Sequence, residues 1–270
     1  AKGNTLSGIF LSNCKKVLID ENLISGNGQD GIQLGNASSN IAADVVSIND
    51  NIIGLDKNGT LALPNARYGI NVDNATFVKI GDGLASGRNI VSGNGDDGIH
   101  VSNDASNVII DNNYIGLDIT GLAIKANGDD GVDMTGANQN SVINNYISGN
   151  TSNGIFIQSA GTITNTVQSN FIGLLTDGTN GGNAGDGINL NSCKTNTIGG
   201  VLGKGNVIGW NTGDGISLNG NDTDDNIIGD NLIGIDPSDN LIPNGGNGIY
   251  IASTATSNEI GENVAGTSVG

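Results

Sequence analysis

Several residue types are scarce in this chain, and each scarcity excludes a class of protein. Its 270 residues include 3 Pro, too few for collagen, and only 4 Phe, 4 Tyr and 1 Trp, too few for a thick core of the usual kind. The 10 Lys and Arg stand against 27 Asp and Glu, and the net charge of −17 argues against nucleic acid as a partner. No apolar run approaches the roughly 18 residues that span a bilayer, so no membrane insertion is expected.

Glycine and asparagine are abundant instead. The chain has 45 Gly and 43 Asn, and both residue types are poor helix formers that favour turns. Hydrophobic residues make up 36% of the chain and charged residues 14%, a balance that favours a buried core over disorder. The composition predicts many short strands joined by tight turns.

A repeat of Gly, aliphatic, any residue, aliphatic supports this prediction. It occurs nine times with a mean spacing of 30 residues, starting at Gly8, Gly31, Gly69, Gly98, Gly131, Gly154, Gly187, Gly215 and Gly248. Two further short aliphatic runs follow in each unit, such as VIID at Val108 and NYIG at Asn113. Three short strands of period two recur in fixed order, which predicts an all-β, single-stranded parallel β-helix of about nine coils. The alternative, antiparallel hairpins at Asn-Gly turns, does not explain three recurring strand types.

An asparagine precedes the third strand in every complete unit. Because Asn tolerates left-handed turns and its amide can bond the same amide one coil away, we expect these residues to form a stacked ladder. The predicted ladder consists of Asn22, Asn51, Asn89, Asn113, Asn145, Asn170, Asn206 and Asn231.

The connection after the third strand is alternately short and long. Long connections start at Gly54, Gly116, Gly173 and Gly234. We expect these long loops to lie along one side and to cover the apolar row of third-strand residues that includes Tyr114, Tyr146 and Phe171. The predicted covering side chains are the loop pairs Leu61 with Leu63, Leu122 with Ile124, and Leu241 with Ile242.

These motifs resemble the right-handed parallel β-helix repeats of the pectate-lyase-like superfamily over essentially the whole chain. The segment IGLDKNGTLALPNARYGINV, from Ile53 to Val72, is especially similar to repeats of long secreted and surface-anchored bacterial proteins. The resemblance implies the fold. It implies no single activity, because the superfamily hosts lyases, hydrolases, epimerases, phage tailspikes and adhesins.

The resemblance makes paired carboxylates the first candidates for catalysis. GDDG, which occurs twice, resembles the paired-Asp motif of polygalacturonases, in which one carboxylic acid protonates the leaving oxygen and others activate water. The Gly-His-Gly and Arg-Ile-Lys motifs of that family are absent. We interpret the paired acids as turn formers before the repeated Gly; they are Asp96, Asp97, Asp129 and Asp130.

Two further candidates are the single histidine and the acidic long loops. His100 is predicted to face outward between Asn71 and Asp133, with Asp73 and Ser102 nearby, either as a general base or as one member of a hydrated polar row. Asp residues in the long loops crowd oxygen atoms into tight turns, so calcium is the one cofactor that the sequence leaves open beside ordinary Asx turns. The calcium candidates are Asp56, Asp118, Asp177 and Asp236.

Cysteines and termini complete the prediction. Cys14 and Cys193 occupy equivalent positions six coils apart, roughly 29 Å, so they cannot form a disulfide. Neither the first residues from Ala1 nor the last nine from Glu262 resemble a polar cap, so 1–270 is expected to be a single β-helix domain within a longer array.

The predicted function is a non-catalytic structural or adhesive repeat module of a secreted or cell-surface protein. Its expected partners are itself or flanking repeats at the coil ends, and no catalytic residue is assigned. The alternative is a carbohydrate-active enzyme, either a polysaccharide lyase or a glycoside hydrolase, or a polysaccharide-binding tailspike-like module with glycans as partners. A net charge of −17 and the presence of only Arg67 and Arg88 as guanidinium groups argue against polyuronate substrates.

Overall fold

The computed structural model describes residues 3–35, 45–200, 202–252 and 254–261. Its strands form three parallel sheets of nine, nine and eight strands, and each strand pairs with its counterpart one coil away. The predicted parallel β-helix with three short strands per coil is therefore confirmed. A 3-10 turn at Ala85–Gly87 is the only helical element within the described residues, and no helix there is long and apolar enough to cross a membrane.

Each of the first eight coils contributes one strand to each sheet, and the last described coil contributes one strand to each of the first two sheets. The first sheet contains β1 (Ile9–Ser12), β4 (Ile32–Gly35), β7 (Ile70–Asp73), β10 (Ile99–Ser102), β13 (Val132–Thr135), β16 (Ile155–Gln158), β19 (Ile188–Asn191), β22 (Ile216–Asn219) and β25 (Ile249–Ile251). The second contains β2 (Leu18–Asp20), β5 (Val46–Asn49), β8 (Val78–Ile80), β11 (Ile109–Asp111), β14 (Ser141–Ile143), β17 (Thr166–Gln168), β20 (Thr197–Gly199), β23 (Ile227–Gly229) and β26 (Glu259–Ile260). The third contains β3 (Leu23–Ile24), β6 (Ile52–Ile53), β9 (Ile90–Val91), β12 (Tyr114–Ile115), β15 (Tyr146–Ile147), β18 (Phe171–Ile172), β21 (Val207–Ile208) and β24 (Leu232–Ile233).

The core is a narrow stack of aliphatic side chains enclosed by the three sheets. In β10, Ile99 and Val101 point inward and are fully buried, while His100 between them points outward. Ile99 is in register with Ile70 and Val132, so like side chains lie directly above one another. This stacking buries β-branched residues along the whole rod and explains why one aliphatic pattern recurs in every coil.

The glycine before the first-sheet strand is required by space in eight of the nine coils, all except that of Gly248. A Cβ on Gly98 would lie 2.7 Å from the carbonyl oxygen of Gly131 and 2.8 Å from the side chain of Ile115. Other corners use left-handed backbone. The residue before the ladder asparagine has φ between 50° and 60° in six coils, at Glu21, Asp50, Asn112, Asn144, Ser169 and Asp230.

The eight asparagines expected to form a ladder are joined by hydrogen bonds from coil to coil. Each side-chain nitrogen donates to the side-chain oxygen of the next asparagine, over 2.8–3.1 Å, from Asn22 to Asn231. The six middle members are fully buried, whereas Asn22 is exposed.

Two further asparagine ladders occupy the other corners, and neither was predicted from the sequence. One joins Asn4, Asn27, Asn65, Asn94, Asn127, Asn150, Asn183, Asn211 and Asn244. The other joins Asn140, Asn165, Asn196, Asn226 and Asn258. The ladder from Asn4 to Asn244 could have been predicted, because an Asn stands four residues before the repeated Gly in all nine units.

The long loops are small antiparallel hairpins that fold back on the third sheet. Their bridges join Leu55 to Ala62, Leu117 to Ile124, Leu174 to Asn180 and Ile235 to Leu241. The long loops cover the third sheet as predicted, but most of the side chains predicted to form the cover do not. Buried side chains at the loop bases, such as Leu55 and Leu117, pack with Tyr114. Of the predicted pairs only Ile242 is buried; the other five side chains are 44–78% exposed.

Both cysteines are unpaired, as predicted. Cys193 lies in the core, where burial raises the pKa of its thiol to about 12. Of the terminal segments predicted to lack a cap, residues 1–2 and 262–270 lie outside the described residues.

Replacing a buried ladder asparagine should destabilise the rod more than replacing an exposed one. Asn145 donates to the side chain of Asn170 and to the carbonyls of Ile110 and Ile143, and it accepts from the backbone of Asn113. We expect Asn145→Ala to lower the free energy of unfolding by on the order of 3 kcal/mol, because several buried groups lose partners. Asn22→Ala, at the exposed end of the same ladder, should cost less than about 1 kcal/mol. Urea denaturation followed by circular dichroism measures both, and equal losses would contradict the interpretation.

Candidate functional site

The outward row of the first sheet carries the only histidine at its centre. Register pairs His100 with Asn71 on one side and Asp133 on the other, as the repeat predicts. The expected neighbours Asp73 and Ser102 pair with each other in register, but Asp73 accepts a hydrogen bond from Asn103 and contributes none to the imidazole.

His100 lies between two carboxylates. Its Nδ1 is 3.1 Å from Oδ2 of Asp97, in its own coil, and 3.1 Å from Oδ2 of Asp133, in the next. The Tyr68 ring stacks on the imidazole with centroids 4.4 Å apart and an interplanar angle of 5°. The guanidinium of Arg67 lies over the Tyr68 ring at 4.7 Å.

Asp97 and Asp130 correct the interpretation of the GDDG motifs. Both are buried, and they occupy the position directly before the repeated Gly. At this position the carboxylate accepts a hydrogen bond from a backbone N–H of the next coil. Asp97 accepts from the N–H of Asp130 over 3.0 Å, and Asp130 accepts from the N–H of Asn153 over 2.7 Å. Their neighbours Asp96 and Asp129 are half-buried and exposed in the bends, which is consistent with the expected role as turn formers.

Asp30 and Asn71 extend this cluster towards the preceding coils. Asp30 is fully buried, and its Oδ2 accepts a 3.2 Å hydrogen bond from Nδ2 of Asn71. Its Oδ1 lies 3.9 Å from Nε of Arg67. Oδ1 of Asp30 and Oδ1 of Asn71 are buried and have no hydrogen-bond partner. Asp30, Tyr68 and Asp97 were not predicted to belong to this cluster, although an acidic residue before the repeated Gly was a visible signal for the two acids.

Burial and the neighbouring charges shift the titration of this cluster. Burial alone would lower the pKa of His100, but hydrogen bonds to Asp133 and Asp97 and their charges raise it to about 9. Burial raises the pKa of Asp130 to about 7, against the hydrogen bond from Asn153. The carboxylates of Asp97 and Asp133 both lie close to His100 and favour a protonated imidazole at neutral pH. A protonated His100 cannot act as a general base.

Arg88, the second arginine of the chain, lies outside this cluster. Arg88 lies over the Tyr114 ring at 4.0 Å and donates to Asn112, away from the first sheet. It lines a groove of about 510 Å³ on the third-sheet side, together with Leu23, Ile52 and Ile119.

The four calcium candidates lie one in each long loop, where they organise their own hairpins. Asp118 accepts from the backbone and hydroxyl of Thr120, and Asp236 accepts from Ser238 and Asn240. Asp56 and Asp177 bond their loops in the same way. These contacts have the form of Asx turns, and calcium binding there stays a prediction.

Raised pKa values in the cluster predict that stability falls as the pH rises. A histidine whose pKa increases from 6.5 to about 9 on folding stabilises the fold fully below pH 6.5 and loses that contribution as the pH passes 9. We expect a loss on the order of 3 kcal/mol over this interval in the native sequence. His100→Asn should show a flatter profile, because Asn71 and Asn189 already occupy this row. Urea midpoints measured from pH 6 to 10 provide the check; parallel profiles would show that His100 is not the responsible group.

Comparisons with known proteins agree with this architecture. A family model of the right-handed β-helix region matches residues 1–115. The crystal structure of the periplasmic alginate epimerase AlgG aligns with 18% identity and a TM-score of 0.62, over 86% of this chain and 46% of that chain. A single-residue variant of AlgG aligns with 17% identity and a TM-score of 0.64, over 90% of this chain and 49% of that one.

This chain therefore spans about half the length of the AlgG chains, and identities of 17–18% establish similarity of fold only. Comparison with curated protein sequences found no match. Three parallel sheets, the family model and the aligned structures lead to one conclusion: the chain folds as a right-handed parallel β-helix.

Proposed function

We propose that this chain is a non-catalytic structural or adhesive repeat module of a secreted or cell-surface protein. The observation that carries the proposal is an apolar surface on the first two hairpins, presented by a rigid body. We call it the hairpin patch; it consists of Leu61, Leu63, Ile119, Leu122 and Ile124, which are 44–65% exposed. The two hairpins are adjacent, because Ile119 donates a backbone hydrogen bond to Gly59 at 3.0 Å.

Contiguous exposed aliphatic groups on folded proteins commonly mark contact surfaces. Loops are ordinarily mobile, but these hairpins are fixed at both ends and bridged internally. The asparagine ladders hold every coil to the next, so the bases of the hairpins stay two coils apart, roughly 10 Å. A fixed array of apolar contacts fits a structural or adhesive role better than a catalytic one.

The last described coil offers a second contact. Ile251 and Ile260 occupy inward positions but are 45% and 46% exposed, whereas Leu218 and Ile228, one coil earlier, are buried. Apolar interior positions and strand edges of this kind favour pairing with another coil. We propose that flanking repeats or a second copy of the chain pair with this coil.

The hairpin patch predicts self-association that polar substitutions should weaken. We expect the combined variant Leu61→Asn and Leu122→Asn to shift the chain towards monomer in sedimentation velocity over a wide concentration range. Leu202→Asn is the control, because Leu202 is 78% exposed but lies outside the patch. Association that persists in the combined variant and disappears in Ile251→Asp would assign the contact to the coil end. A native chain that is monomeric at every concentration would argue against both self-contacts.

A carbohydrate-active module is the second candidate, supported by one specific observation. Tyr68, Arg67 and His100 together place an aromatic ring and two cationic groups on the outer face of a fold shared with alginate epimerases. A tyrosine ring edge and hydroxyl can contact a sugar, and cations neutralise carboxylates. The buried carboxylates around His100 and the net charge of −17 oppose a polyuronate there.

We expect no turnover of alginate, polygalacturonate or neutral glucans. Ultraviolet absorbance would detect unsaturated products, a reducing-end assay would detect hydrolysis, and NMR would detect epimerisation at C5. A glycan array would test binding separately. Turnover that is abolished in His100→Asn but retained in Asp186→Asn would favour the carbohydrate-active alternative, because Asp186 occupies the position of Asp97 in a coil without histidine.

A further inference from the structure

We infer that Asp97, His100 and Asp133 form a binding site for one divalent transition-metal ion, with Nδ1 of the imidazole and one oxygen from each carboxylate as ligands. The three donor atoms lie within 4.8 Å of one another on the outer face of the first sheet. The site is separate from the hairpin patch and from the calcium candidates in the long loops.

The spacing of the donors fits a small ion. Nδ1 is 3.1 Å from each of the two carboxylate oxygens. In a tetrahedral site with bonds of about 2.0–2.1 Å, ligand atoms lie roughly 3.3 Å apart. Small displacements of the side chains would therefore admit the ion, which would take the place of the proton on Nδ1 and release it to solvent. The backbone would not need to move, because β10 and β13 are held in register.

An independent observation marks the adjacent position. Asn71 is the register partner of His100 on the side opposite Asp133. Only 7% of its surface is exposed. Its Nδ2 donates to Oδ2 of Asp30 in the preceding coil, so Oδ1 is the amide atom that remains available. That oxygen has no hydrogen-bond partner. A buried carbonyl oxygen without a partner is a ready fourth donor, either directly or through water.

Supporting contacts hold the ligands in place. Asp97 uses its other oxygen to accept the backbone N–H of Asp130, and Asp133 accepts the hydroxyl of Thr135. Tyr68 covers one face of the imidazole and leaves the ring edge, which carries Nδ1, free to bind. Such outer contacts orient ligands in established metal sites.

The repeat explains why the site occurs once and which ions it suits. Five coils carry Asp before the repeated Gly, but the outward residue three positions later is a histidine in one coil only; elsewhere it is Gln33, Asp133, Asn189 or Ser217. One imidazole with two carboxylates suits zinc, cobalt, nickel or manganese better than calcium, which takes six to eight oxygen ligands.

The test uses the full chain freed of metal and titrated with Co²⁺ and Zn²⁺. We expect one ion per chain by calorimetry and a visible Co²⁺ spectrum. His100→Asn and Asp133→Asn should each weaken binding at least tenfold. Asp186→Asn should leave binding unchanged, because it removes an equivalent carboxylate whose neighbour is Asn189. Circular dichroism of each variant confirms that its coils are intact.

A measurement on the native sequence avoids substitutions altogether. His100 is the only histidine, so the ultraviolet absorbance of carbethoxyhistidine formed by diethyl pyrocarbonate reports on this side chain alone. We expect Zn²⁺ to slow that modification at least tenfold, and Mg²⁺ to have no effect. Absence of Co²⁺ binding by the native chain would overturn the proposal, and so would binding that His100→Asn leaves unchanged in affinity and spectrum. Neither result bears on self-association through the hairpin patch.

Discussion

Hydrogen bonding between buried asparagine amides of successive coils is the interaction on which the rest of this structure depends. A rod this thin cannot turn three corners per coil without bringing polar backbone into its interior, where each unpaired group costs on the order of 1–3 kcal/mol. Asn145 illustrates the solution, because one amide serves its own coil, the coil before and the coil after. The interaction requires Asn at the same position in every coil, and this requirement generates the repeat.

The ladders also fix the register, and the register determines which outward side chains meet. A slip of one residue would unpair every amide and turn the aliphatic row outward, so each coil is held above its neighbour. The contact between His100 and Asp133 follows directly, because the two residues lie in different coils and are joined only by register. The interior thus sets the geometry of a surface cluster in which it takes no part.

The sequence was sufficient for the architecture because the pattern that encodes it recurs nine times. Strand order, parallel pairing, the asparagine ladder from Asn22 to Asn231 and the unpaired cysteines all follow from positions that repeat. The cluster around His100 was only partly accessible. Its place in the outward row could be predicted, but Asp97 was interpreted as a turn residue, since nothing in GDDG distinguishes an acid that points inward from one that points to solvent. Stacking by Tyr68 was not predictable, because it depends on side-chain rotamers.

The hairpins, too, could be predicted only in part from the sequence. Their number and side could be predicted from the alternation of connection lengths, but not which leucines they bury. Leu55 and Leu61 are both aliphatic and lie six residues apart, yet the first is fully buried and the second 65% exposed. The bridge between Leu55 and Ala62 decides this, since it turns the hairpin so that its base covers Tyr114 and its tip faces solvent. In a solenoid, repeated positions are constrained by the neighbouring coils, whereas positions that depart from the repeat are free to acquire specific contacts. Individual function is therefore expected where the repeat is broken, and His100 and the hairpin tips are two such places.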